Sequence, residues 1–492
     1  MMSKNLVSFA KDEGAAYPPP PFSPSERYPE YPFTDVGSEP NVAYDLVRQC
    51  LIRLGLDQER AGTSLWNPLG ELIRPGDKVV VKPNWVMHEN RGSGTLNALV
   101  THPSVVRALL DFVYIALEKE GTVVVGDAPL QSCDIDLLWK SQDWLTIPRF
   151  YQAHSKLNVV LEDWRLELYH RDGKLTFRKE LRPSDDRYLV VNLGEDSLLE
   201  PVAHDYENFR VTNYDPAALL KHHRPGIHEY CVSRRVLEAD VILNVAKLKS
   251  HRKAGMTGCL KNLVGINGHK SFLPHHRRGP AAQGHDEYPR ANALKSVRTT
   301  IEELRDVASS RSSQVLFSVL HKIPDLFLAF GDRISEGSWF GNDTLWRTIL
   351  DLNRIARYAD RDGRIKSSPQ RRIFCVVDAV TAGEGEGPLE PSDLRCGAVF
   401  AGTNPLAVDA AAARFMGLTV EEVPQLKQGF ELSSLPLFDG TAAEIWIQGN
   451  QSEKLDDWAG SARPFLLPAG WQRMRVIDGR PVHFASSSSK CE

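Results

Sequence analysis

The chain has 492 residues, enough for more than one packed unit with its own core. Its 42% apolar and 25% charged content is ordinary for a globular protein, and a net charge of −4 argues against nucleic-acid binding through bulk positive charge. Seven scattered cysteines without a CxxC pair give no zinc-ribbon or iron–sulfur signature, and neither a signal-peptide core nor an apolar run of the ~18–20 residues a membrane helix needs is found, so a cytoplasmic protein is expected.

Residues 1–40 read as a Pro-rich N-terminal arm, with AAYPPPPFSPSERYPEYPF as an extended segment. The first part of an α/β core follows over 41–130. It holds a helix from about 42, the strand KVVVKPN (78–84), the helical THPSVVRALLDFVYIALEKEG (101–121) and the strand TVVVGDAP (122–129). Pro103 suits the first helical position and Gly121 the stop, while His102 beside the cap is read either as a capping residue or as a ligand contact. Strand, helix and strand in this order form a βαβ unit and imply a parallel sheet.

A β-rich insertion is predicted over 131–235, because 157–192 alternates apolar and polar residues around an Asp172-Gly173 turn. The core resumes over 236–270 with the strand DVILNVAKLK (240–249) and a helical turn, GCLKNLVG, capped by Thr257. Residues 271–370 read as a basic loop plus a helical insertion at 297–360, a lid or an interface. The third part of the core, 371–430, holds RIFCVVDAV, CGAVFAGTN and a helix with Asn404 as cap and Pro405 first; 431–492 is a C-terminal extension ending in a frayed SSSSKCE. The predicted class is therefore α/β: a mainly parallel sheet with helices on both faces, interrupted by a β-rich and a helical insertion.

Between Asp240 and Asp286 the chain runs 45 residues without an acid, where about six are expected by chance. The same window holds eight Lys/Arg, five His and the glycines Gly255, Gly258, Gly265 and Gly268. Positive charge on a glycine-punctuated turn suits an anion. No Walker loop, GxGxxG or GxSxG motif is present.

Ligands of parallel sheets bind outside the carboxyl ends of the strands, so the polar residues at those ends belong together. They are Lys82 and Asn84, Asp127, Lys247, Lys249 and His251, Asp378, and Asn404, joined by Lys261 and Asn262 on the glycine turn. The expected substrate-binding residues are Lys82, Asn84, Lys247, Lys249, Asn262 and Asn404. His251, Lys261 and Asp127 are the catalytic candidates, His251 because imidazole titrates near neutrality. Asp378, Glu384, Glu386, His275 and His276 are candidate ligands for a divalent metal. Asp409 is placed either toward the same rim or toward solvent.

The motifs KPNW (82–85), THPSVVRALL (101–110), GDAP (126–129), KLKSH (247–251), TGCLKNLVGINGHKS (257–271), GEGEGP (383–388) and NPLAVDA (404–410) together resemble the domain-of-unknown-function 362 family. Many of that family carry ferredoxin-like CxxC clusters; this chain lacks them, so no iron–sulfur cluster is carried over. The resemblance also implies a distant similarity to lactate-racemase-type proteins, which hold a nickel-containing nucleotide cofactor. The family motifs fall on Lys82, Asn84, Asp127, Lys247, His251, Lys261, Asn262, Asp378 and Asp409.

The function expected from these residues is an enzyme that binds a small phosphorylated or carboxylated metabolite and performs acid/base chemistry on it, with metal assistance as an option. A metallo-cofactor isomerase, racemase or redox enzyme and a non-catalytic anion-binding or scaffold protein are the alternatives. No specific nucleic-acid partner is expected, and a homo-oligomer is compatible with the helical insertion.

Overall fold

The computed structural model describes residues 5–172, 175–181, 186–212, 214–308, 311–320, 324, 334–460, 464–472, 476–477 and 480–481. Gly173 of the predicted turn, part of the helical insertion and the SSSSKCE tail lie outside these residues.

A ten-stranded mixed sheet runs through the molecule. Its strands are β1 (Leu6–Lys11), β2 (Val79–Pro83), β3 (Glu120–Asp127), β4 (Lys156–Asp163), β5 (Val241–His251), β6 (Gly255–Thr257), β7 (Arg372–Glu386), β8 (Glu390–Gly402), β9 (Trp446–Gln448) and β10 (Ser452–Lys454). The order is β10-β9-β1-β8-β7-β5-β2-β3-β4, with β6 folded back on β5. From β7 through β5, β2 and β3 to β4 every pairing is parallel. The predicted α/β class with a mainly parallel sheet is therefore the fold.

The helices that frame the sheet and the site include α1 (Val42–Arg53), α2 (Pro103–Ala116), α3 (Ile135–Ser141), α4 (Thr146–His154), α5 (Cys259–Asn262), α6 (Ala293–Val307), α7 (Arg311–Leu320), α8 (Leu345–Tyr358) and α9 (Pro405–Phe415). Successive strand residues face opposite sides of the sheet. Val79, Val81, Val123 and Val125 accordingly join α1, α2 and α4 in one core, while Val80 and Val124 join α8 and α9 in the other. His102 caps α2, its Nδ1 accepting from the Ser104 amide at 3.2 Å.

Four expectations need correction. The N-terminal arm is not loose: β1 pairs antiparallel with β8, and Tyr17 donates to Asp378 at 2.6 Å and stacks on His102. The region after 130 is only partly an insertion, because α3 and α4 lead into β4, which extends the main sheet parallel to β3. The first stretch of its alternating pattern is an edge strand with one wetter face, and the hairpin expected about Asp172 follows it, where Glu167–Asp172 pairs antiparallel with Leu175–Glu180. The helical insertion is also divided: α8 is buried in the core below the sheet, whereas among the described residues α6 and α7 line the cavity at the strand rim. Finally, the C-terminal extension contributes β9 and β10 to the sheet, with β9 parallel to β1.

Candidate functional site

A cavity of about 710 Å³ opens at the carboxyl ends of β2, β3 and β5. Asn84 and Asp127 line it from the ends of β2 and β3, and Lys249 and His251 from the end of β5. Arg252 and Lys253 follow from the β5–β6 turn, and Thr257 from the end of β6. Lys261 and Asn262 come from α5, and Lys270 and His275 from the chain beyond it. Glu302, Arg305 and Asp306 of α6 and Ser318 of α7 reach it from the helical insertion.

The rim lysines fall into two classes. Lys82 is fully buried against Asp127 at 2.7 Å and donates to Asn262 Oδ1 at 3.1 Å, so it lies behind the cavity wall and supports it. Asp127 Oδ2 accepts the Trp85 amide at 2.6 Å, which leaves both carboxylate oxygens engaged. A Cβ at Gly265 would overlap this carboxylate, so only glycine lets the turn close over the pair. Lys247 is the register partner of Asp378 across β5 and β7, and the two side chains pair at 2.7 Å. Tyr17 Oη and the Thr381 carbonyl complete the Lys247 shell at 2.7 and 3.1 Å. Lys82 and Lys247, expected as substrate contacts, are thus structural ion pairs.

Lys249, Lys261 and Lys270 behave differently. Lys249 donates to the Leu99 carbonyl but has no carboxylate partner among the described residues, and the same holds for Lys261 and Lys270. Burial, and then repulsion from Lys82, pulls Lys261 down to about 8. Burial, followed by Lys261 and Lys253, pulls Lys270 down to about 7. Lys249 is held well below its ordinary value by burial and by Lys247 and Lys261. Lys253 differs again: it faces Glu336 at 3.7 Å and the Thr212 hydroxyl at 3.2 Å.

Two histidines line the same cavity as opposite tautomers. His251 Nδ1 accepts the amides of Lys253 and Ala254 at 3.1 and 3.2 Å, so its proton sits on Nε2. His275 Nδ1 lies 2.7 Å from the Leu273 carbonyl, which can only accept, so His275 keeps its lone pair on Nε2. Burial, with Lys261 next for His251 and Lys253 next for His275, holds both well below the ordinary imidazole value. Asn84 Oδ1 and Thr257 Oγ1 are buried at the wall without a hydrogen-bond partner in the structure.

Other expected residues do not meet here. Asn404 caps α9, accepting from Leu406 and Ala407 and donating to the Leu437 carbonyl. The predicted Thr257 cap is replaced by Gly258, and the α5 amides are taken by Asp409 rather than left for a ligand. Of the candidate metal ligands, Asp378 pairs with Lys247, whereas Glu384 and Glu386 accept the Leu466 and Ala469 amides at 2.8 and 2.7 Å. His275 lines the cavity, but His276 does not. Among the described residues these side chains do not gather into one metal-holding group. Sequence reasoning missed Lys270, although it lies in the acid-free window, and the cavity role of His275.

Residues 187–414 match the family model described as Domain of unknown function (DUF362). No curated protein matches the chain. A crystal structure of a Thermotoga maritima protein is similar at 14% identity and a TM-score of 0.30, covering 71% of this chain and 53% of its own. The chain thus spans about half the length of that structure. No described helix is long and apolar enough to cross a membrane.

Proposed function

We propose that this chain, whose residues 187–414 match the DUF362 family model, is an enzyme that binds a small anionic metabolite in the strand-rim cavity and performs acid/base chemistry there. The observation that carries this reading is the cluster of Lys249, Lys261 and Lys270 around a 710 Å³ space, none with a carboxylate partner among the described residues. Unpaired cations in a poorly solvated place are costly, and an anionic ligand offsets that cost.

In this reading the three lysines hold the anionic group, and Asn84 and Thr257 supply further polar contacts. His251 presents an Nε2–H toward a substrate oxygen, while His275 presents an Nε2 lone pair that can take a proton. A donor and an acceptor of the same type lining one cavity are what proton movement between two substrate positions requires. Asp127 orients the floor through Lys82 and does not act as a base, since both its oxygens are engaged.

Lys261→Ala tests the reading. Titration with inorganic phosphate should show binding to the full chain and its loss in the variant, with the melting temperature nearly unchanged. Phosphate binding that survives in Lys261→Ala would refute the anion site.

A further inference from the structure

The cavity lining combines two kinds of group. Lys249, Lys261 and Lys270 all line it, and repulsion from Lys261 contributes to the lowered values of both other lysines, so the positive charge is concentrated. The acids that line the same space do not neutralise it: Asp127 faces Lys82 at 2.7 Å, Glu336 faces Lys253 at 3.7 Å, Glu302 faces Arg298 at 3.2 Å and Asp306 faces Arg305 at 3.0 Å. The same lining also has apolar and aromatic members. Tyr169 and Tyr214 lie with ring centroids 5.3 Å apart, alongside Leu130, Val264 and Leu273.

A single carboxylate brings one negative charge, whereas a phosphate monoester brings about −1.5 to −2 near neutral pH and several strong acceptor oxygens. Three clustered lysines and the Thr257 hydroxyl, which can donate, match the second better. The volume also exceeds what a bare phosphate fills, since pockets of roughly 300–1,000 Å³ enclose drug-sized ligands.

We propose that the ligand is a phosphate monoester with an apolar or aromatic body, its phosphoryl group seated on Lys249, Lys261 and Lys270 and its body lying against Tyr169, Tyr214 and Leu130. This rests on the anion site described above. The proposal concerns binding and involves no bond-making step. The two tyrosines offer ring faces to a flat body, and the lysines fix its end.

The experiment is calorimetric titration of the full chain with phenyl phosphate, benzoate and inorganic phosphate. Phenyl phosphate should bind at least about tenfold more tightly than benzoate, because a dianion gains more Coulomb energy at the same lysines. It should also bind at least about tenfold more tightly than inorganic phosphate, because the ring buries apolar surface. Lys270→Met, which removes one cation at a partly exposed position, should weaken phenyl phosphate more than benzoate. Benzoate binding as tightly as phenyl phosphate, or an equal loss for both in Lys270→Met, would overturn the phosphoryl assignment while leaving an anion site intact. Inorganic phosphate binding as tightly as phenyl phosphate would overturn the apolar body. If none of the three binds, the anion site itself fails and the present proposal falls with it.

Discussion

Asp409 closes the amino end of the short helix that carries Lys261: its Oδ1 accepts the Cys259 amide at 2.5 Å and its Oδ2 the Leu260 amide at 2.8 Å. Amides that a helix start usually offers to a bound anion are therefore occupied from within the protein. Cation side chains, not backbone dipoles, are left to attract a ligand. Gly258 makes the arrangement feasible, because a Cβ there would overlap the Asp409 carboxylate.

Burial pushes the Asp409 carboxyl up to about 7. The folded state thus holds a proton that the unfolded chain releases near pH ~4. This contribution is fully present below the unfolded value and is lost as pH rises from ~4 toward the folded value of about 7. Across that window the wild type should lose stability relative to Asp409→Asn by at most about 1.4 kcal/mol per pH unit. Urea unfolding of both proteins at several pH values measures the difference, and a difference that stays constant with pH would contradict the buried protonated carboxyl.

Lys247 and Lys261 should respond oppositely to truncation. Lys247→Ala leaves Asp378 buried and unpaired, which should cost about 3–5 kcal/mol. Lys261→Ala removes a cation that burial already disfavours and that has no carboxylate partner among the described residues, so it should leave stability unchanged or raise it. Chemical denaturation of the two variants side by side decides the matter. Equal destabilisation would mean that the division between paired and unpaired lysines is wrong.

The two cavity histidines give a spectroscopic prediction. Long-range nitrogen–proton NMR correlations near neutral pH should show the proton of His251 on Nε2 and that of His275 on Nδ1. Both rings should remain neutral as pH falls through the ordinary imidazole value of ~6.5, because burial and the neighbouring lysines oppose a further charge. Matching tautomers, or titration of either ring near its ordinary value, would remove the donor–acceptor pair from the proposed chemistry.

Much of the scaffold was legible because it is written locally. KVVVK and TVVVGD are apolar runs with polar ends, and Pro103 and Asn404 mark helix starts whatever lies around them. The strand-end rule also brought attention to Asn84, Lys249 and His251, which do line the cavity. What the sequence could not separate was Lys82 from Lys261, or Lys247 from Lys249. Each pair shares residue type and neighbourhood, and the difference lies in carboxylates distant in sequence, Asp127 and Asp378, that meet only two of the four lysines. β1 and β4 were missed for a related reason: LVSFAK and KLNVVLED are short patterns whose partners are set by tertiary pairing, whereas the hairpin about Asp172 was legible from its local alternation. His275 read as a metal ligand because only the hydrogen bond to Leu273 reveals which ring nitrogen remains available.

The position of β1 has a consequence for the far end of the chain. β1 lies between β8 and β9, pairing antiparallel with the first and parallel with the second. Among the described residues, β9 and β10 join the sheet only through this one strand. Residues 6–11 therefore act as a keystone: an alteration that unseats six residues near the amino terminus also unmoors strands more than four hundred positions away.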